Sequence, residues 1–154
     1  MIDISPDARI GISTKGSKLH VGENTHIFEF VVIKFVGGKG SIFIGDGCFI
    51  NPHTVIYSGR GVYIGDSVLI GPGCVLAGSN HTYKNPDATI KSQGFDLGMG
   101  IVIDSDVWIG ANCTILDGAW IRHGSVIAAG SVVNCEVPKY QVWAGVPAKF
   151  IKER

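Results

Sequence analysis

An aliphatic residue returns at every sixth position along most of this chain: Ile44, Ile50 and Ile56, then Ile64, Ile70 and Leu76, then Ile103, Ile109, Ile115, Ile121, Ile127 and Val133. A period of six fits neither an amphipathic helix, whose apolar period is about 3.6, nor a two-sided strand, whose period is about 2. It fits a short flat segment followed by a turn, repeated, and a repeat of that kind fixes the architecture. The residue after the aliphatic one is often Gly (Gly45, Gly65, Gly71, Gly110). The fourth after it is small or slim: Cys48, Thr54, Val68, Cys74, Val107, Cys113, Ala119, Ser125, Ser131. Large and small side chains therefore share one interior.

The spacing errors are as informative as the repeats. Read in threes, the ladder runs Val21, Ile27, Ile33; Ile44, Ile50, Ile56; Ile64, Ile70, Leu76; Ile103, Ile109, Ile115; Ile121, Ile127, Val133. Extra residues enter only between triplets: five after the first, two after the second, twenty-one after the third and none after the fourth. Every insertion thus falls at the same corner of a three-sided coil. The pattern predicts an all-β parallel β-helix, a triangular prism of coils stacked ~4.8 Å apart around the aliphatic ladder. Ile10 and Gly11 read as the start of a first, less regular coil. Residues 1–154 are expected to form a single domain with a long excursion at 82–102. In the tail at 136–154, Pro138 and Pro147 break the hexad over 136–147, and the last stretch, Pro147 to Arg154, is expected to be a short basic helix or an extended segment.

Composition narrows the function. Thirteen basic residues balance thirteen acidic ones, and no basic run or aromatic-interleaved basic stripe offers itself to nucleic acid. The opening MIDISPDARIGIS has neither a basic leader nor an apolar core, and nothing approaches an apolar run of transmembrane length, so a cytoplasmic protein is expected. Cys48, Cys74 and Cys113 share the inward slim position of the hexad and read as packing groups in a reducing compartment, with Cys135 at a corner. No CxxC pair exists, and no spacing requires three imidazoles to converge, so no catalytic metal is expected. The stretch Gly37-Gly38-Lys39-Gly40-Ser41 invites a phosphate-loop reading but lacks that loop's spacing; it lies where the coil already needs an insertion and reads as a turn.

Chemistry is expected where the chain leaves its scaffold. The long insertion is anchored at Gly78-Ser79-Asn80-His81, and its body carries Tyr83, Lys84, Asp87, Lys91, Gln93 and Phe95. A histidine at the junction of coil and loop can act as a general base near neutral pH; a surface histidine bonded to its own turn is the plain alternative.

The hexads, the Asn-His before the loop, the segment Ile103-Asp104-Ser105-Asp106-Val107-Trp108-Ile109-Gly110-Ala111-Asn112 and the closing Ala144-Gly145-Val146-Pro147-Ala148-Lys149 resemble the left-handed β-helix hexapeptide-repeat acyltransferases. Among them the likeness is to sugar O-acetyltransferases of the galactoside, maltose and capsule- or lipopolysaccharide-modifying kinds. The left hand of the helix comes from this resemblance alone, since ordinary parallel crossovers are right-handed. The resemblance implies acetyl-CoA as co-substrate, a sugar or glycan hydroxyl as acceptor and a homotrimer with active sites at subunit interfaces. It places the catalytic base on His81 and an acceptor-positioning Asn on Asn51, whose alternative is a coil-turn asparagine. It places Trp108, Gly110, Ala111 and Ala129 along the acetyl-CoA groove, and Lys149 and Lys152 near the CoA phosphates. Where many relatives carry Thr-Lys after the last coil, this chain has Asn134-Cys135, and Ile90 to Phe95 looks like the loop of polysaccharide-modifying members. Rival readings are an N-acetyltransferase of an amino sugar nucleotide, a β-helix that binds without catalysis, and a carbonic-anhydrase-like metal enzyme.

Overall fold

A computed structural model describes residues 1–96 and 98–154; Leu97, inside the long excursion, lies outside the described residues. The chain winds through three parallel sheets in strict rotation. Face one carries Leu19–Val21, Ile42–Ile44, Val62–Ile64, Ile101–Ile103, Trp120–Ile121 and Glu136–Val137. Face two carries Asp3–Ile4, His26–Ile27, Phe49–Ile50, Leu69–Ile70, Trp108–Ile109, Val126–Ile127 and Gln141–Gly145. Face three carries Arg9–Ile10, Val32–Lys34, Val55–Tyr57, Val75–Ala77, Thr114–Leu116 and Val132–Val133. The expected left-handed parallel β-helix is the fold of the chain, and the coil begun at Ile10 is real, its strand pairing with Val32–Lys34. The insertions at residues 35–41, 58–61 and 78–100 all leave from the corner between faces three and one.

The ladder of the sequence is the core. Ile33, Ile50, Ile56, Ile64, Ile70, Leu76, Ile103, Ile109, Ile115, Ile121, Ile127 and Val133 are all fully buried, in register across successive coils. Burial of one such side chain contributes roughly 1.5–3 kcal/mol, and every rung is supported by the rung on each side.

The slim inward position does more than save space. Cys48 Sγ donates to the Gly65 carbonyl, Cys74 Sγ to that of Gly110 and Cys113 Sγ to that of Ala128, each at 3.1 Å. Thr25 Oγ1 donates to Gly45 O at 2.7 Å, and Ser125 Oγ to Pro138 O at 2.7 Å. Each coil thus satisfies a corner carbonyl of the next coil from inside the prism, where an unpaired acceptor would be costly. The Cys113 side chain beside it, then burial, push the Cys74 thiol well above the usual thiol range. Desolvation raises Cys48 as well.

Corners turn through a left-handed residue that also recurs every six positions: Asn24 and Phe30; Gly47, His53 and Gly59; Ser67 and Gly73; Asp106, Asn112, Gly118, Gly124 and Gly130. Glycine is needed for a second reason where stacked corners touch. A Cβ on Gly71 would lie 2.6 Å from the Ala111 nitrogen, and one on Gly110 would lie 2.5 Å from that of Ala129.

The C-terminal tail takes the extended of its two expected forms, but the coil runs further than the break in the hexad suggests. Residues 136–145 keep to the coil path despite Pro138: Glu136–Val137 pairs with Trp120–Ile121, and Gln141–Gly145 with Val126–Ile127. No helix follows. Ala148–Glu153 turns back as an antiparallel strand on Gln141–Gly145 and extends face two by one strand. Trp143 occupies the inward place above Ile127 and packs against the end of the core. A helix would have left that end of the sheet without a backbone partner.

Candidate active site

The base of the excursion is a two-residue ladder. Asn80–His81 pairs antiparallel with Phe95–Asp96, His81 facing Phe95. Between them, Gln93 ties the loop to itself: its Oε1 accepts from Asn85 N at 3.0 Å, and its Nε2 donates to Asn85 O and Ala88 O. Thr89 caps the short 3-10 turn Ile90–Gln93. The far end is held by Asp117, whose carboxylate accepts the amides of Met99 at 3.0 Å and Gly100 at 2.7 Å.

This frame fixes the chemistry of His81. Its Nδ1 lies 3.2 Å from the Gly94 carbonyl oxygen. A carbonyl only accepts, so Nδ1 carries the hydrogen and Nε2 holds the free lone pair. The ring packs on Phe95 with centroids 4.5 Å apart and stays exposed. It opens on a cleft of 320 Å³ lined by His81, Thr82, Tyr83, Lys84, Phe95 and Asp96. Such an imidazole can remove a proton from a hydroxyl, and the Gly94 carbonyl stabilises the cation that results.

The residues expected along the cofactor groove gather elsewhere. Trp108 stands 55% exposed on the outside of face two, in register with Val126 and then Val142. Gly110, Ala111 and Ala129 occupy the corner between faces two and three. Gly110 N donates to Ile127 O at 2.8 Å and Gly130 N to Ala111 O at 2.9 Å, so this corner is a continuous backbone track. The hairpin end reaches the same corner, where Gly145 N donates to Ser131 Oγ at 3.2 Å.

Lys149 and Lys152 are three apart in sequence, a spacing that puts residues of a regular strand on opposite sides. Here Lys149 pairs with Ala144, Phe150 with Trp143 and Lys152 with Val142. Ile151 is therefore an extra residue, a bulge that returns both lysines to one side of the hairpin. That side is the outer one, shared with Val142, Val126 and Trp108.

Asn51 also sits at the two–three corner. Its Nδ2 donates to Ile70 O at 2.8 Å, closing the step to the next coil, while the left-handed residue of that corner is His53. Within one chain the structure therefore brings Trp108, Gly110, Ala111, Ala129, Lys149 and Lys152 together. It leaves His81 on a different corner from Asn51. Sequence reasoning placed Phe95 in the loop without a role; its pairing with His81 depends on a register internal to the excursion, which no repeat reveals.

Residues 100–135 match the family model described as "Bacterial transferase hexapeptide (six repeats)". The putative lipopolysaccharide biosynthesis O-acetyl transferase WbbJ of Escherichia coli is 37% identical over 123 residues, covering 75% of this chain and 62% of that protein. The hexapeptide-repeat acetyltransferase VCA0836 of Vibrio cholerae, solved with acetyl-CoA, has a TM-score of 0.64 at 30% identity, over 87% of this chain and 70% of that one. A mutant of AntD, an N-acyltransferase of Bacillus cereus solved with dTDP and coenzyme A, shares the fold with a TM-score of 0.82 at 22% identity, over 99% of this chain and 81% of that one. The chain belongs to the hexapeptide-repeat acyltransferase family. It spans between 50% and 63% of the length of the first curated relatives it matches.

Proposed function

We propose that this chain is an acetyl-CoA-dependent O-acetyltransferase acting on a sugar hydroxyl of a surface polysaccharide or its precursor, with His81 as general base. The observation that carries the reading is the Gly94 carbonyl on His81 Nδ1, which leaves an exposed Nε2 on the wall of a cleft. Acetyl-CoA, when bound, supplies an acetyl group activated as a thioester. The glycine-tight two–three corner suits the slender pantetheine arm, Trp108 the ground beside it, and Lys149 and Lys152 the phosphates beyond. His81 takes the hydroxyl proton as the sugar oxygen bonds to the acetyl carbon, then returns it to the departing CoA sulfur. The products are an O-acetyl sugar and free CoA. Cys48, Cys74 and Cys113 take no part, since they face the core.

His81 and the cofactor track stand on different corners, so the reaction needs two copies: a closed trimer in which the excursion of one chain covers the groove of its neighbour. Asn51, on the groove side, would then face the acceptor held by the neighbour's His81. Prism, excursion and hairpin act in this reading as one catalytic domain. The three buried free thiols fit a cytoplasmic setting.

The test is thiol release from acetyl-CoA over a panel of sugars, sugar nucleotides and oligosaccharides. His81→Ala is expected to lower kcat by about 10²–10⁴-fold with acetyl-CoA affinity unchanged. Near-normal turnover in that variant would sink the mechanism. The second reading is N-acetylation of an amino sugar, favoured by the fold shared with AntD. Paired hydroxyl and amine acceptors separate the two, and failure to bind CoA at all would favour a β-helix without catalysis.

A further inference from the structure

Beside the His81 cleft, on the same three–one corner, lies a second cleft of 690 Å³. Its lining is three cations, Lys15, Lys39 and Arg60, with Phe95 and the backbone of Gly37, Gly38 and Gly40. The cations come one from each of three successive turns of the chain at this corner, and the excursion bearing His81 leaves from the fourth. With coils ~4.8 Å apart, the three side chains are rooted over ~10 Å of the prism axis.

Two features leave this row open to a ligand. The chain carries equal numbers of acidic and basic residues, yet among the described residues none of the three cations is in an ion pair; the pairs formed involve the N-terminus, His26, Arg122 and Arg154. The glycines also hollow the site. A Cβ on Gly38 would lie 2.2 Å from Gly59 O, one on Gly40 2.1 Å from the Arg60 carbonyl carbon, and one on Gly37 2.3 Å from Ser79 Cβ. Only bare backbone lets this insertion lie flat on the next turn and leave open space under the cations. Phe95 joins the two clefts: it lines both, and its ring packs on His81.

We propose that this cleft is a phosphoryl-binding subsite, and that the acceptor sugar is presented to His81 joined to a phosphate or diphosphate. The word acceptor rests on the acetyl-transfer reading above; the subsite does not. A single carboxylate would satisfy one cation of the row, whereas two linked phosphates can span it, with Arg60 able to bind two oxygens at once. The volume suits a small ligand rather than a lone ion. A nucleoside diphosphate sugar and a simple sugar phosphate share this chemistry and are told apart by the probes below.

The test is equilibrium titration of the full chain with UDP, glucose 1-phosphate and glucuronate. Wild type is compared with Lys39→Met/Arg60→Met and with Lys15→Met, each checked for an unchanged melting temperature. UDP is expected to bind, to weaken as salt rises, and to lose at least about tenfold in affinity in the double variant, with acetyl-CoA affinity unchanged. Lys15→Met, at the far end of the row, is expected to weaken UDP more than glucose 1-phosphate. UDP affinity unchanged in both variants overturns the proposal, as does glucuronate binding as tightly as either phosphate. A loss of acetyl-CoA affinity in place of UDP affinity overturns it too, assigning the row to the donor. Repeating the UDP titration in His81→Ala separates this proposal from the catalytic one. Retained, Lys39- and Arg60-dependent binding supports the subsite whatever the variant does to turnover. Acetyl transfer to neutral sugars by a wild type that does not bind UDP would sink the subsite and leave the transferase reading standing.

Discussion

A methyl group added at Gly71 would sit 2.6 Å from the Ala111 nitrogen and 2.9 Å from its Cα, both fixed atoms of the next coil. Backbone cannot swing aside as a side chain can, so Gly71→Ala must spread two coils at that corner and weaken the ladder bonds on either side. The expected cost is about 1–3 kcal/mol, read as a lower denaturation midpoint with little change in the slope of the transition. Buried sulfur gives a second residue-scale prediction. Cys48, Cys74 and Cys113 are fully buried and donate to carbonyls, whereas Cys135 is partly exposed on the three–one corner. In the folded protein only Cys135 is expected to react with an aromatic disulfide reagent; all four thiols should react in denaturant. Fast native reaction of more than one thiol, or any that survives Cys135→Ser, would contradict the inward placement. Sequence could read these cysteines as inward because they share one hexad position. Their hydrogen bonds were not legible, because the acceptors are backbone carbonyls one coil away.

At the scale of elements, what the sequence made legible was whatever repeats. Faces, corners and the site of every insertion follow from the aliphatic ladder, because an inward side chain at Ile64, Ile70 or Leu76 sets both the facing and the length of its segment. The corner conformation was hidden, since Asn24, Phe30, His53, Ser67 and Asp106 have no side-chain chemistry in common. The hairpin was hidden for a different reason: the extra residue Ile151 scrambles the alternation that marks a strand, leaving Lys149 to Lys152 readable as a turn of helix. The same residue makes a prediction. Deleting Ile151 restores a regular ladder in which Lys149 and Lys152 stand two apart and keep to one side, with Phe150 between them on the side of Trp143. CoA affinity is expected to stay within about twofold of wild type in that deletion and to fall several-fold in Lys152→Ala, while dephospho- or pantetheine-only donors lose little in either. An affinity equal to wild type in Lys152→Ala would remove Lys152 from the groove. His81 was legible from its place before the loop, but its tautomer was not, because that depends on Gly94, thirteen residues away across a two-residue ladder.

The whole molecule poses the sharpest question, because a prism has three corners and the proposed chemistry uses two. His81 leaves from the three–one corner; Gly110, Ala111 and Ala129 lie at the two–three corner, with Trp108 on the face beside it. The excursion is bound at both ends to its own coil, by the Asn80–His81 ladder and by Asp117. It is thereby held at its own corner and away from its own groove. A threefold ring of prisms would resolve the geometry by presenting the three–one corner of each chain to the groove side of the next. Each active site would then draw its base from one chain and its cofactor track from another, and two different defects need not coincide in one site. His81→Ala and Trp108→Ala are each expected to be inactive as pure proteins of trimeric mass. Co-expressed and purified through distinct tags on the two chains, they should regain activity, since each mixed trimer has one of its three sites with both residues intact, about a third of the wild-type number. If each site lay within a single chain, every chain in the mixture would carry a broken site, and mixing would restore nothing.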